Sequence, residues 1–172
     1  MKPEAEKPTH AESRELYSVA QIQHVMRVEF GRAQRYRYPL VCAMVSIDTL
    51  GAVRDAHGYD AKEAVFHAVV KLLENATRGS DFIGRTADDR LLAVLPHTDG
   101  KGLRLMSERL LKEARALKLE GELRRTQVTL SIGAVSNEHE GLVYHDAMYS
   151  ATENALSDAI AAGGGRLVEG RP

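Results

Sequence analysis

The apolar run from Leu40 to Ile47, between Pro39 and Asp48, constrains the fold more than any other stretch. It is too short for a typical helix and lacks the polar alternation of a strand with one wet face, so it reads as a strand covered on both faces. A sheet buried on two sides needs helices above and below it. The flanking sequence supplies them. From Ser18 onward Ile22, Val25, Met26, Phe30 and Ala33 recur with helical period, and Pro39 ends that helix. After a short polar helix or turn through Asp55, Asp60 is placed to cap a helix with Ala64, Ala68, Leu72 and Leu73 on one face.

Further on, Phe82-Ile83-Gly84-Arg85 and Leu91 to Leu95 read as two short strands around the bend Ala87-Asp88-Asp89, the second stopped by Pro96. Gly100 to Lys118 is amphipathic, with Leu103, Met106, Leu110, Ala114 and Leu117 inward. Thr126 to Val135 alternates as a strand. Ala147 to Ala161 reads as a last helix, closed by Gly163-Gly164-Gly165, and Arg166-Leu167-Val168 as a final edge strand.

Composition sets limits. A length of 172 residues suits one ordinary domain, and 44% apolar with 27% charged residues excludes disorder, collagen-like repeats and coiled-coil rods. There is no Trp, so the core rests on Leu, Val, Ile and Ala. A net charge of −1 gives no bulk field for nucleic-acid phosphates or an anionic membrane. Neither is an expected partner. The single Cys42 excludes an internal disulfide and a thiolate zinc cage, and its apolar neighbours make it a buried small hydrophobe. The polar, proline-bearing start lacks the apolar segment of a secretion signal, and a cytoplasmic location is expected. Residues 1–17 are expected to be a flexible tail, and 18–172 a single domain.

The order of elements, with Gly31 to Leu40, Gly84-Arg85 through Leu95-Pro96, and Val128-Thr129-Leu130-Ser131-Ile132-Gly133, resembles the GGDEF family of diguanylate cyclase domains. Its members join two GTP molecules into cyclic di-GMP. The resemblance runs from about Ser18 to Val168. It implies an α+β, nucleotidyl-cyclase-like fold: a central, mostly antiparallel five-stranded sheet with helices on both faces and a β-hairpin bearing the signature motif.

That signature is degenerate. Where the family has G-G-D/E-E-F, this chain has Ala87-Asp88-Asp89-Arg90-Leu91. Joining nucleoside triphosphates needs divalent metal between acidic ligands and a backbone free to approach the nucleotide. Side chains replace both glycines, and Arg90 puts a positive charge where the family has an acid. Only Asp89 keeps a family-type carboxylate, and Asp88 with Asp89 equally suits an ordinary acidic turn. By the same resemblance the first metal-binding Asp corresponds to Ser46, with a carboxylate persisting only at Asp48, which either caps a short helix or points to solvent. The phosphate-binding Lys corresponds to Gly51, the guanine-reading Asn to Arg54, and a guanine-reading Asp to Glu63. The late basic pair falls on Ile160 and Gly164, and the D-x-L-T entry motif is absent near Ala11 to Arg14. Losses on this scale imply no cyclase activity and no bound metal.

A second set survives. Nine positions before the broken motif stands Arg78-Gly79-Ser80-Asp81, an R-x-x-D at the offset of the family's product-binding inhibitory site. Pro96-His97-Thr98 followed by Glu108-Arg109 puts Arg109 where a further arginine completes that site. A guanidinium can donate two parallel hydrogen bonds to guanine O6 and N7, and a carboxylate can accept from guanine's other edge. Taken alone, R-x-x-D is a common surface ion pair. The resemblance implies an inactive domain that receives cyclic di-GMP through Arg78, Asp81 and Arg109 and signals through a protein effector or a second copy. The alternatives are a nucleotide-independent scaffold, weak residual cyclase activity on Asp48 and Asp89, and GTP as a regulatory ligand supported by Glu63. His139 and His145 read as surface residues, His67 as packed, and no serine has a partner arrangement for nucleophilic work.

Overall fold

Ser18 starts the first helix by a reciprocal cap. Its hydroxyl accepts from the Gln21 N–H at 3.3 Å, and the Gln21 side chain accepts from the Ser18 N–H at 2.8 Å. The geometry is that of a computed structural model, which describes residues 14–139, 141–142 and 144–171. Helix α1 (Val19–Tyr36) stops at Arg37, which is left-handed at φ 56°, two residues before Pro39. Strand β1 (Leu40–Ile47) follows, then α2 (Leu50–His57), α3 (Tyr59–Ala76), β2 (Phe82–Arg85), β3 (Leu91–Pro96) and α4 (Gly100–Arg115). After a 3₁₀ turn at Gly121–Arg125 come β4 (Leu130–Ser136), α5 (His145–Ala161) and β5 (Leu167–Glu169).

The sheet runs β2-β3-β1-β4-β5. All neighbours are antiparallel except β4 and β5. This is the expected α+β architecture, with the hydrophobic run of β1 at its centre. Alternation along β1 decides which layer each side chain joins. Leu40, Cys42 and Met44 pack with Ile22, Met26 and Phe30 of α1 and with Met148 and Leu156 of α5. Val45 and Ile47 turn to the other face, against Val65, Phe66, Val69 and Leu73 of α3 and Leu110 of α4. Cys42 is fully buried, which pushes its thiol up to about 12 and leaves it inert.

Two glycines are there for space. A Cβ on Gly133 of β4 would fall on the backbone N and Cα of Leu156, so only glycine lets α5 lie this close to the sheet. On Gly84 of β2 it would come within 2.6 Å of Ile22 Cβ, where α1 crosses the sheet edge.

Several expectations shift. Strand β4 begins at Leu130 and is buried at every position, so its apparent alternation is not a wet face. Asp60 lies in the first turn of α3 and the cap position is Gly58. The inner face of α3 is Val65, Phe66, Val69, Val70 and Leu73, while Ala64 is exposed and Ala68 and Leu72 half-buried, because the larger side chains claim the core. His67 is exposed rather than packed, 3.5 Å from Glu63. Residues 1–13 of the expected tail lie outside the described residues, and Tyr17 bridges to β2 through its N–H to Ile83 O and its carbonyl from Arg85 N–H. Among the described residues no helix is long and apolar enough to cross a membrane.

Candidate functional site

The hairpin between β2 and β3 closes on itself. The Arg90 carbonyl accepts from Thr86 N–H at 2.8 Å, and the Thr86 hydroxyl donates to Asp88 at 2.6 Å. Arg90 turns back to Asp88 at 3.0 Å. Asp89 takes the left-handed conformation, φ 59°, that Asp tolerates better than most side chains. This aims its carboxylate at α3.

There it meets two cations. Lys62 Nζ donates to Asp89 Oδ2 at 2.6 Å and lies 3.4 Å from Glu63 Oε1. Arg85 donates through Nε and Nη2 to Asp89 Oδ1 at 3.0 and 2.5 Å, and forks onto both oxygens of Glu63 at 2.6 and 3.1 Å. The Arg85 guanidinium also lies over the Phe66 ring, 4.0 Å from its centroid. Two carboxylates and two cations thus form one closed network. Hydrogen bonding from Arg85 holds the Glu63 carboxyl below its ordinary range, and hydrogen bonding from Lys62 does the same for Asp89.

A cavity of about 210 Å³ opens on this network, lined by Ser46, Gly51, Arg54, Lys62, Asp88 and Asp89 among others. It is smaller than the 300 to 1,000 Å³ or so typical of small-molecule sites. So the fold gathers Ser46, Gly51, Arg54, Asp88 and Asp89 around one opening, with Glu63 linked to them through Lys62 and Arg85. Leu91 is core, Ala87 is exposed, and Arg54 pairs with its neighbour Asp55 at 3.4 Å. Asp48 is not a helix cap; it is exposed, as one of the two expectations had it, but it is not without partners. It accepts from Ser131 at 2.6 Å, Thr129 at 2.8 Å and the Gly165 N–H at 3.0 Å, while Thr49 holds the cap position of α2. Gly164 lies so close that a Cβ there would come within 2.9 Å of the Asp48 carboxylate.

A divalent cation needs oxygens with lone pairs to give. Those of Asp89 are taken by an ammonium and a guanidinium, those of Asp88 by Thr86 and Arg90, and Ser46 offers only a hydroxyl. These residues do not fit a divalent metal. Among the described residues no group of three or more His, Cys, Asp or Glu is arranged to hold one.

The second surface is built at the C-terminal end of α3. Thr77 donates to the Leu73 carbonyl at 2.8 Å, and the chain turns through Arg78 to Asp81. Asp81 Oδ2 accepts from the Arg78 N–H at 2.7 Å, and Asp81 N–H donates to the Arg78 carbonyl at 3.1 Å. The aspartate is only 6% exposed, and its Oδ1 is buried with no hydrogen-bond partner. Burial raises its pKa against the opposing pull of the Arg78 N–H and the Arg78 and Arg14 charges. Arg78 itself is exposed and donates to the His97 carbonyl at 3.3 Å. Arg109, exposed on α4, donates to the Asn75 carbonyl at 2.7 Å and lies 3.6 Å from Glu113. Both guanidiniums therefore attach to the same end of the molecule through backbone carbonyls, with Asn75 three residues before Arg78.

Sequence reasoning missed Lys62 and Arg85 as partners of Asp89, and passed over His97 as a spacer. Glu63 beside Lys62 is the one local hint, and nothing in the sequence ties either to a turn more than twenty residues later.

Residues 14–166 match the family described as diguanylate cyclase, GGDEF domain. A diguanylate cyclase from Vibrio cholerae is 32% identical over 72 residues, a match covering 42% of this chain and 22% of that relative, so the chain spans about a fifth of its length. The active GGEEF domain of a diguanylate cyclase from Vibrio cholerae superposes with a TM-score of 0.84 at 24% identity, over 92% of this chain and 99% of the other. The GGDEF domain of DgcB from Caulobacter crescentus, solved in complex with c-di-GMP, gives 0.83 at 13% identity over 98% of each chain. At these identities the superpositions speak for the fold, and the sequence match speaks for descent. Because that match takes in the hairpin, α3 and α4 together, the chain belongs to the diguanylate cyclase GGDEF domain family.

Proposed function

We propose that this domain makes no cyclic di-GMP and instead binds it, through Arg78, Asp81 and Arg109, passing the signal to a protein effector or a second copy of the chain. One contrast carries the reading. At the degenerate motif every cation is committed: Lys62 and Arg85 to Asp89 and Glu63, Arg90 to Asp88, Arg54 to Asp55. At the end of α3, Arg78 is exposed and within 4.0 Å of no carboxylate among the described residues, held only by a backbone carbonyl. A guanidinium fixed in position but not neutralised suits an anionic, edge-rich ligand. Asp81 supports it by holding the turn through the Arg78 N–H.

Titration calorimetry with cyclic di-GMP tests this. The wild-type protein is expected to bind at micromolar concentration or tighter, and Arg78→Ala or Arg109→Ala to weaken binding by about tenfold or more, as loss of a charge-assisted hydrogen bond does. Wild type that ignores cyclic di-GMP would overturn the reading in favour of a nucleotide-independent scaffold. Incubation with GTP and Mg²⁺ or Mn²⁺ should yield no product, and turnover would overturn the inactive half of it.

A further inference from the structure

Beside Arg78 stands an aromatic ring held in a way that loop side chains rarely are. His97 follows β3 with φ 56°, a left-handed conformation that non-glycine residues keep only when their surroundings fix it. Two contacts do so. Its ring lies on that of Tyr38, with centroids 4.1 Å apart and planes inclined by 30°. Its carbonyl accepts from Arg78 Nη1 at 3.3 Å. Tyr38, in turn, is tied down at both ends, its hydroxyl donating to Glu29 at 3.0 Å and its carbonyl accepting from Asn137 at 3.1 Å. Glu29 is buried in α1 and paired with Arg32 at 2.7 Å.

Tyr38 is half-buried and His97 exposed. Tyr38 therefore backs one face of the imidazole and leaves the exposed residue an open face, while the Arg78 guanidinium is held at the His97 backbone carbonyl. We infer that this open face of His97 is a stacking subsite for a purine base, with the edge of the stacked base turned toward Arg78. The inference rests on the cyclic di-GMP reading above and adds a contact to it. A flat base gains from an aromatic face whatever its sequence identity, and from a planar guanidinium at its edge. The backing ring matters too, because a platform fixed before binding loses little freedom when the base arrives.

The test separates stacking from support of Arg78. His97→Asn keeps a residue that tolerates the left-handed backbone and keeps the carbonyl that holds Arg78, but removes the ring. It should weaken cyclic di-GMP binding by about tenfold, the scale of one lost base–aromatic stack, with the fold intact by circular dichroism and the melting temperature lowered only by the lost Tyr38 contact. His97→Phe, which restores a ring, should bind within a few-fold of wild type. Because the chain has no Trp, His97→Trp places a single tryptophan whose fluorescence should be quenched as the base stacks on it. In the wild type, the His97 ring protons should move upfield on saturation with cyclic di-GMP. If the wild type binds while His97→Asn binds equally well and the ring protons stay put, the subsite is overturned and the receptor reading stands. If the wild type does not bind, both fall.

Discussion

Asp81 holds a carboxylate where the protein gains least from having one. One oxygen fixes the Arg78 turn and the other is buried without a donor. Asp81→Asn keeps the acceptor and removes the buried charge, so calorimetry at pH 7 should find its melting temperature equal to or above that of wild type. Asp81→Ala also loses the acceptor and should melt lower, by roughly the 1 kcal/mol of one turn hydrogen bond. A Gly79-Ser80 turn that melts alike in both variants would remove Asp81 from this role. Glu63 and Asp89 behave in the opposite sense. Their native pKa values are lowered by Arg85 and Lys62, so they contribute stability above the ordinary values of 4.5 and 3.8, lost as pH falls through the depressed native ones. Asp81, raised by burial, is most favourable when protonated and loses its contribution as pH rises through its native value. Melting curves from pH 7 to pH 3 should therefore show an acid loss that is shallower in Asp89→Asn, and identical acid limbs would contradict the network. The sequence makes the offset of Arg78, Asp81 and Arg109 legible because it is measured along the chain. It hides the fate of Asp89, since Lys62 reaches that turn only after α3 has packed beside β2 and β3.

At the level of elements, the sequence is most readable where a pattern has one physical solution. An apolar run of eight residues had to be a strand between two layers, and β1 is one, with successive side chains serving opposite cores. Where two patterns fit one helix the choice fails. On α3, Ala64, Ala68 and Leu72 keep helical spacing as faithfully as Val65, Val69 and Leu73, and only burial of the bulkier set decides between them. A glycine required by close approach is likewise invisible without its neighbour. Gly133 reads as a motif letter until α5 is seen lying on it. Gly133→Ala should cost more than about 3 kcal/mol, beyond the usual range for overpacking, because the obstruction is the backbone of Leu156 and not a side chain that can turn aside. Denaturant unfolding, or loss of soluble protein, would show it. A variant that folds with wild-type stability would mean that α5 stands further off.

For the whole molecule, α3 sets the distance between the two surfaces. Lys62 and Glu63 sit near its start and Asn75 near its end, about 20 Å apart at 1.5 Å per residue. That exceeds the Debye length of about 8 Å at physiological salt, so charge changes at one end are largely screened from the other. The motif can therefore be altered without touching the arginines. Rebuilding the turn as Ala87→Gly, Asp88→Gly, Arg90→Glu and Leu91→Phe restores the family's letters but leaves Lys62 and Arg85 on Asp89, and a hydroxyl at Ser46. Such a variant should still form no cyclic di-GMP from GTP, measured by chromatography of the products, because Asp89 remains neutralised from α3 and β2 and Ser46 supplies no carboxylate. It should bind cyclic di-GMP within about twofold of wild type, since nothing near Asn75, Arg78 or His97 has changed. Product from the rebuilt turn would show that Lys62 and Arg85 yield to metal when offered it. A large loss of binding would show instead that α3 couples its two ends, and that decay at one surface reshaped the other.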